Sequence, residues 1–360
     1  MESLTITRVR RLAQQEAASI ALTAYLPLKP EENTVSPERL GKVQEKAEKA
    51  LAKLSDLKEG ESFRTNLDYV LSQVVEADYA EGTWLLAVTP SLAEAVFVPF
   101  LLPEEVHVGK TLKPWSAFYA LHRVKTVLVG LVSENTTRWF EAIGTRLFAL
   151  PLSPEVKEAL QQLHKARQNL QNISIDNPHY SELFTQMARS AYSMALVKYT
   201  DLLREEVSFY LVQERVPVLL MGEERLLQDI SRGLEGKGTL ILVSGIPETS
   251  PLEHIQQQVA HYLDHQRTVL EQMYLPFLAY SEKQEPREIW ALLQDSLPSA
   301  PVLFVEEGYT FPAEELTGQK RNLPSRDGVD LLVAAVYERG GEVLFVSPGK
   351  LPYPLMFLVP

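Results

Sequence analysis

Three apolar runs constrain this chain more than anything else in it. Lys125–Val132, Pro217–Met221 and Thr239–Val243 are each long enough for one strand and too short for a buried helix. A strand that is apolar on both faces must be covered on both. The second and third runs are each followed by a loop and then a helix. Thr137–Ala142 and Arg146–Leu150 read as further strands of a hairpin. Strands that alternate with helices predict a mixed α/β sheet flanked by helices.

The flanking sequence has a different pattern. Leu4–Glu16 reads as a short amphipathic helix, and Ser19–Leu26 as a strand ended by Pro27 and Pro30. Ser36-Pro37-Glu38 combines an N-cap hydroxyl, proline at the first helical position and an acid at the positive dipole end. The helix it starts buries Leu40, Val43, Ala47, Ala50 and Leu54 and turns its charges outward. A second helix over Glu61–Glu76 and strands near Thr83–Val88, Ala95–Leu101 and Glu105–Val108 complete an α+β region. At the other end, a helix near Pro286–Asp295, a strand Val302–Val305, a helix Val329–Glu338 and a strand Glu342–Val346 make a small αβα unit. The fold class is therefore α/β and α+β multidomain, with boundaries that place domains at 1–122, 123–275 and 276–360.

Charge narrows the partners. The chain carries 35 basic and 47 acidic side chains, a net charge of -12, and none of the three regions is basic. Sequence-independent binding to nucleic acid rests on clustered Lys and Arg that release counterions. No DNA partner is expected, and any RNA partner must be met by a local patch or by shape. The absence of cysteine removes disulfides, thiolate metal sites and a Cys nucleophile together. No run approaches the roughly 18 apolar residues of a membrane span, so no membrane partner is expected and the expected location is the cytoplasm.

Two places carry the residue types of a site. His254, His261 and His265, at spacings of seven and four, share one face of the helix that Ser250-Pro251-Leu252-Glu253 starts as a capping box and that runs to about Met273, before Pro276. That face suits a zinc or nickel ion. Leu252, Ile255, Val259, Leu263 and Leu270 lie roughly opposite, so the histidines point to solvent, whereas structural metal sites are enclosed; no metal is favoured. Val243–Ser250 is a strand, a tight loop and a helix start, where Gly245, Thr249 and Ser250 would face an anion. It lacks a phosphate-loop pattern, and Glu248 would repel phosphate, so a well-capped β-to-α turn is the preferred reading. No cofactor motif and no recognisable catalytic constellation occurs. Residues 164–180 are polar and rich in Asn and Gln, and read as a loop or extended arm before a long helix over Tyr180–Val207.

The order of the pieces resembles the bacterial archaeo-eukaryotic release factor family, relatives of the archaeal and eukaryotic class-1 release factors and of Pelota. The resemblance is carried by Pro217–Gly222 with the helix holding Leu226-Leu227, by Ser244-Gly245-Ile246-Pro247 and the helix after it, by Pro301–Glu307, by Asp330-Leu331-Leu332 and by Gly340-Gly341-Glu342-Val343. It implies a divergent N-terminal domain, an RNase-H-like middle domain, an L7Ae-like C-terminal domain, and a partner that is the ribosome or a tRNA-shaped site. In that family a Gly-Gly-Gln loop of the middle domain positions the water that cleaves peptidyl-tRNA. Here Gly340-Gly341 is followed by Glu342 and ends a helix. The nearest echo, Gly318-Gln319, lies in the third region. The resemblance thus implies a translation-associated protein serving rescue, quality control or hibernation, without peptide hydrolysis. Two readings from other classes stand beside it: an enzyme using the middle domain or the histidine face, and a protein–protein adaptor that reuses the fold.

Overall fold

The computed structural model describes residues 3–28, 32, 34–54, 56–74, 81–172, 178–278, 284–295, 301–317, 328–339 and 341–358. The chain divides into two compact units, Met1–Leu4 with Lys125–Leu263, and Thr5–Val124 with Asp264–Pro360.

The second unit opens with α1 (Thr5–Ala13), β1 (Ala21–Leu28), α2 (Pro37–Leu51), α3 (Leu57–Ser72), β2 (Gly82–Thr89), β3 (Leu92–Val98), β4 (Glu105–Gly109) and α4 (Trp115–Arg123). The strands form one antiparallel sheet in the order β3-β2-β1-β4, with Leu22 opposite both Val88 and Val108. Alternation along β1 sends Leu22, Ala24, Leu26 and Leu28 to one face, where they meet Val43 and Ala47 of α2 and Phe63, Leu67 and Val70 of α3. Asp56 starts α3 by accepting from the amides of Lys58 and Glu59.

The first unit holds β5 (Thr126–Val132), β6 (Thr137–Ile143), β7 (Arg146–Leu150), α5 (Pro154–Gln171), α6 (Pro178–Phe209), β8 (Val218–Gly222), α7 (Glu224–Ser231), β9 (Leu240–Ser244) and the N-terminal part of α8 (Leu252–Leu278), as far as Leu263. Its sheet runs β7-β6-β5-β8-β9. Strands β5, β8 and β9 are parallel, and β6 is antiparallel to β5 and β7. Val127, Val129 and Leu131 pack with Leu219 and Met221 against Ile255, Val259 and Tyr262 of α8. A Cβ on Gly130 would sit 2.2 Å from the Trp139 ring, so only glycine lets that indole lie across the middle of β5. A π-helical turn over Tyr210–Glu214 closes α6, followed by Arg215 in the left-handed region at φ 54°.

The remainder of the second unit is α9 (Pro286–Gln294), β10 (Val302–Glu306), α10 (Glu314–Thr317), α11 (Gly328–Glu338), β11 (Glu342–Val346) and β12 (Leu355–Leu358). Its sheet order is β11-β10-β12, with β11 parallel and β12 antiparallel to β10. Within this unit α4 lies against α11, and Arg123 pairs with Asp330 at 2.8 Å.

Several expectations need correction. Residues 164–171 are helical: α5 continues to Gln171 and α6 begins at Pro178. The polar Asn and Gln side chains misled because α5 buries only the narrow stripe Val156, Ala159 and Leu163; the rest of its surface meets solvent, where amides are tolerated. Pro276 lies inside α8, not after it. The first turn of α8 forms on the Pro251 carbonyl, which accepts from His254 and Ile255, so Ser250 precedes the cap. Leu252 is 46% exposed and does not belong to the buried stripe. Helix α3 starts four residues earlier than its apolar pattern, because the cap and not the first apolar residue sets its origin.

Candidate functional site

Helices α5 and α6 pack side by side as a hairpin on the first unit. A β-turn after β5 fastens its base. The Ser133 hydroxyl accepts from the amides of Asn135 (3.1 Å) and Thr136 (3.0 Å) and donates to the Glu248 carboxylate. The Asn135 amide donates to both Glu248 oxygens, at 3.1 and 3.0 Å, and Arg167 of α5 donates to the Asn135 carbonyl oxygen. From α6, Tyr192 donates to Glu134, and Tyr199 donates to the Ser133 carbonyl at 2.9 Å and pairs with Thr137. These contacts come from turn polar groups that periodicity arguments pass over.

The electrostatics follow from these bonds. The Ser133 and Asn135 donors hold the Glu248 carboxyl below the usual carboxylate range. Burial, and then the Glu134 carboxylate, push the Tyr192 hydroxyl up to about 12, so it stays a donor across physiological pH. Burial raises Tyr199 as well. Tyr199 is fully buried, whereas beyond it toward the tip α6 turns outward. Leu183, Phe184, Met187, Met194 and Val197 are all exposed, with Met194 at 70%. Glu182, Arg189 and Lys198 are exposed too, as is Lys165 of α5. A shallow groove of about 530 Å³ lies along α6 between Ser193 and Leu202.

The outer part of this hairpin carries a small local excess of positive charge. Residues 162–199 hold four basic side chains, Lys165, Arg167, Arg189 and Lys198, and two acidic ones, Asp176 and Glu182, in a chain of net charge -12. The sequence carried that signal. It is invisible when charges are summed by domain, since the surrounding acids cancel it.

The positions singled out from sequence fall elsewhere. Gly245 takes φ +78° in an open turn, Thr249 is exposed and Ser250 is buried. Beside them stands the Glu248 carboxylate, and Arg138 donates to the carbonyls of Glu248 (2.8 Å) and Ser250 (3.0 Å). The Glu248 carboxylate is itself held by Ser133 and Asn135. His254 is half-buried with a ring nitrogen 3.3 Å from the Gln258 amide, while His261 and His265 are exposed. Asp264 pairs with Arg267 at 2.9 Å. Among the described residues no group of three His, Asp or Glu is placed to hold a metal ion. Gly318 and Gln319 lie outside the described residues. Among those described, no helix is long and apolar enough to cross a membrane.

No protein-family profile matches the chain, and no curated protein does. Among solved structures, the chain is similar to the archaeal translation termination factor aRF1, at 11% identity over 96% of this chain and 93% of that one, with a TM-score of 0.25. It is similar to Pelota of Archaeoglobus fulgidus at 13% identity over 74% of this chain and 73% of that one, TM-score 0.22. A third similar structure is Dom34 of S. cerevisiae, described as a translation termination-like factor of RNA quality control that interacts with Hbs1. There the identity is 10% over 80% of this chain and 93% of that one, TM-score 0.26.

Proposed function

We propose that this chain is a release-factor-like, translation-associated protein that binds the ribosome through the outer half of the α5–α6 hairpin, without cleaving peptidyl-tRNA. One observation carries the reading: residues 162–199 of the hairpin hold four basic and two acidic side chains and expose Lys165, Arg189 and Lys198 beside apolar side chains, in a chain of net charge -12. A local positive excess lowers the repulsion that the net charge of -12 sets against a polyanion, so this part of the hairpin is one that ribosomal RNA can approach. The segment between the helices, residues 172–177, contains no glycine. It therefore has neither a Gly-Gly-Gln triplet nor the backbone freedom that a close approach to a reacting ester uses. On this reading the role is rescue, quality control or hibernation.

The same reading assigns three domains. Residues 123–275 are taken as RNase-H-like, supported by the five-stranded order β7-β6-β5-β8-β9 with β6 reversed. Residues 1–122 are the divergent N-terminal domain. Residues 276–360 are the L7Ae-like domain, supported by α11, which packs on β10 and β11 and against α9. Co-sedimentation with ribosomes tests the proposal. Binding at low salt should weaken roughly 10- to 150-fold between about 50 and 200 mM salt if two to four phosphates are contacted. Peptidyl-tRNA should remain intact in the bound fraction. Protein that stays in the supernatant with stalled and with vacant ribosomes alike would overturn it.

A further inference from the structure

The end of α6 is held from the far end of the chain. Glu214, the last residue of the π-helical turn, is 3% exposed. Its two carboxylate oxygens accept from the Ser3 hydroxyl at 3.1 Å and from the Leu4 amide at 3.1 Å. Leu4 is fully buried beside them, and residues 3 and 4 belong to the same compact unit as Glu214. A buried carboxylate is tolerated when donors replace its lost water, and costs stability when they leave. The turn it closes is already unfavourable. The π-helical hydrogen-bond pattern is rare, and Arg215 sits in the left-handed region with a full side chain.

We propose that residues 3 and 4 form a detachable clasp whose docking onto Glu214 keeps the C-terminal end of the hairpin's long helix closed. With the clasp in place, the two donors replace the water that the buried acid has lost, and Leu4 is buried beside it. When it leaves, by cleavage of the segment or by negative charge on Ser3, Glu214 must reach water, and the π-helical turn opens to let it do so. The last turns of α6 then fray, and the hairpin loses its fixed base. The clasp concerns the fold of one unit and does not depend on the ribosome reading, so either can fail alone.

Amide hydrogen exchange on the full chain tests it. Removing residues 1–4, or changing Ser3→Asp, should speed exchange over residues 207–216 by roughly 10- to 100-fold, the effect of stripping donors from one buried acid. Strand β5 should keep its wild-type protection. Glu214→Gln should behave like wild type, since its oxygen accepts from Leu4 and its amide donates to the Ser3 hydroxyl. Glu214→Ala made in the truncated chain should restore part of the protection, since no buried acid then has to reach water. Wild-type exchange over 207–216 in the truncated chain would overturn the clasp. So would equal acceleration in β5, which would make the effect a global loss of stability.

Discussion

Glu248 shows how a single residue can be read correctly for charge and wrongly for role. From the sequence it was the acid that spoils an anion site. In the structure it ties the loop after β9 to the turn after β5, through Ser133 and Asn135. Those donors hold its carboxyl below the ordinary range, so its contribution to stability is present above the unfolded value of about 4.3 and is lost as pH falls through the lower folded value. Urea denaturation between pH 7 and pH 3 should show this loss in the wild type and a shallower one in Glu248→Gln. Identical pH slopes would mean that the carboxylate is not the linked group. The histidines illustrate the reverse: their common helix face was legible from spacing alone, but whether other elements bring ligands near was not, and among the described residues none completes a metal site.

Elements were legible where burial dictates them. Strands β5 and β8 are buried throughout and fall on two of the apolar runs, because a strand covered on both faces leaves little freedom in its residues; β9, an edge strand, falls on the third although it is only partly buried. Helix ends were less so. Ser36-Pro37-Glu38 and Ser153-Pro154-Glu155 are the same start in sequence, yet only Ser153 caps, accepting from the Val156 amide at 3.3 Å; the Ser36 side chain makes no cap bond. Thermal or urea unfolding should therefore separate two chemically identical changes. Ser153→Ala should cost about 1 kcal/mol, and Ser36→Ala no more than a few tenths. Equal losses would show that cap geometry is not the cause. The α5–α6 hairpin was half legible. The long second helix was readable, but the end of the first was hidden by polar residues that its exposed face accommodates at little cost.

At the scale of the whole molecule, net charge and local charge point in opposite directions, and only the fold decides which matters. A protein of net charge -12 is a poor RNA ligand on average. Lys165 and Arg189 lie on two helices that pack side by side, and both side chains are exposed. The division into two compact units was not readable from sequence, since the pairing of Arg123 with Asp330 joins residues 207 positions apart. The most direct test of the account compares ribosome affinity for two variants of equal charge change. One is Lys165→Glu with Arg189→Glu on the hairpin; the other is Lys42→Glu with Lys53→Glu on and just after α2. The account predicts that the hairpin pair lowers affinity by at least about 10-fold and flattens the salt dependence, while the α2 pair leaves both near wild type. Equal losses from the two pairs, or none from the hairpin pair, would contradict it.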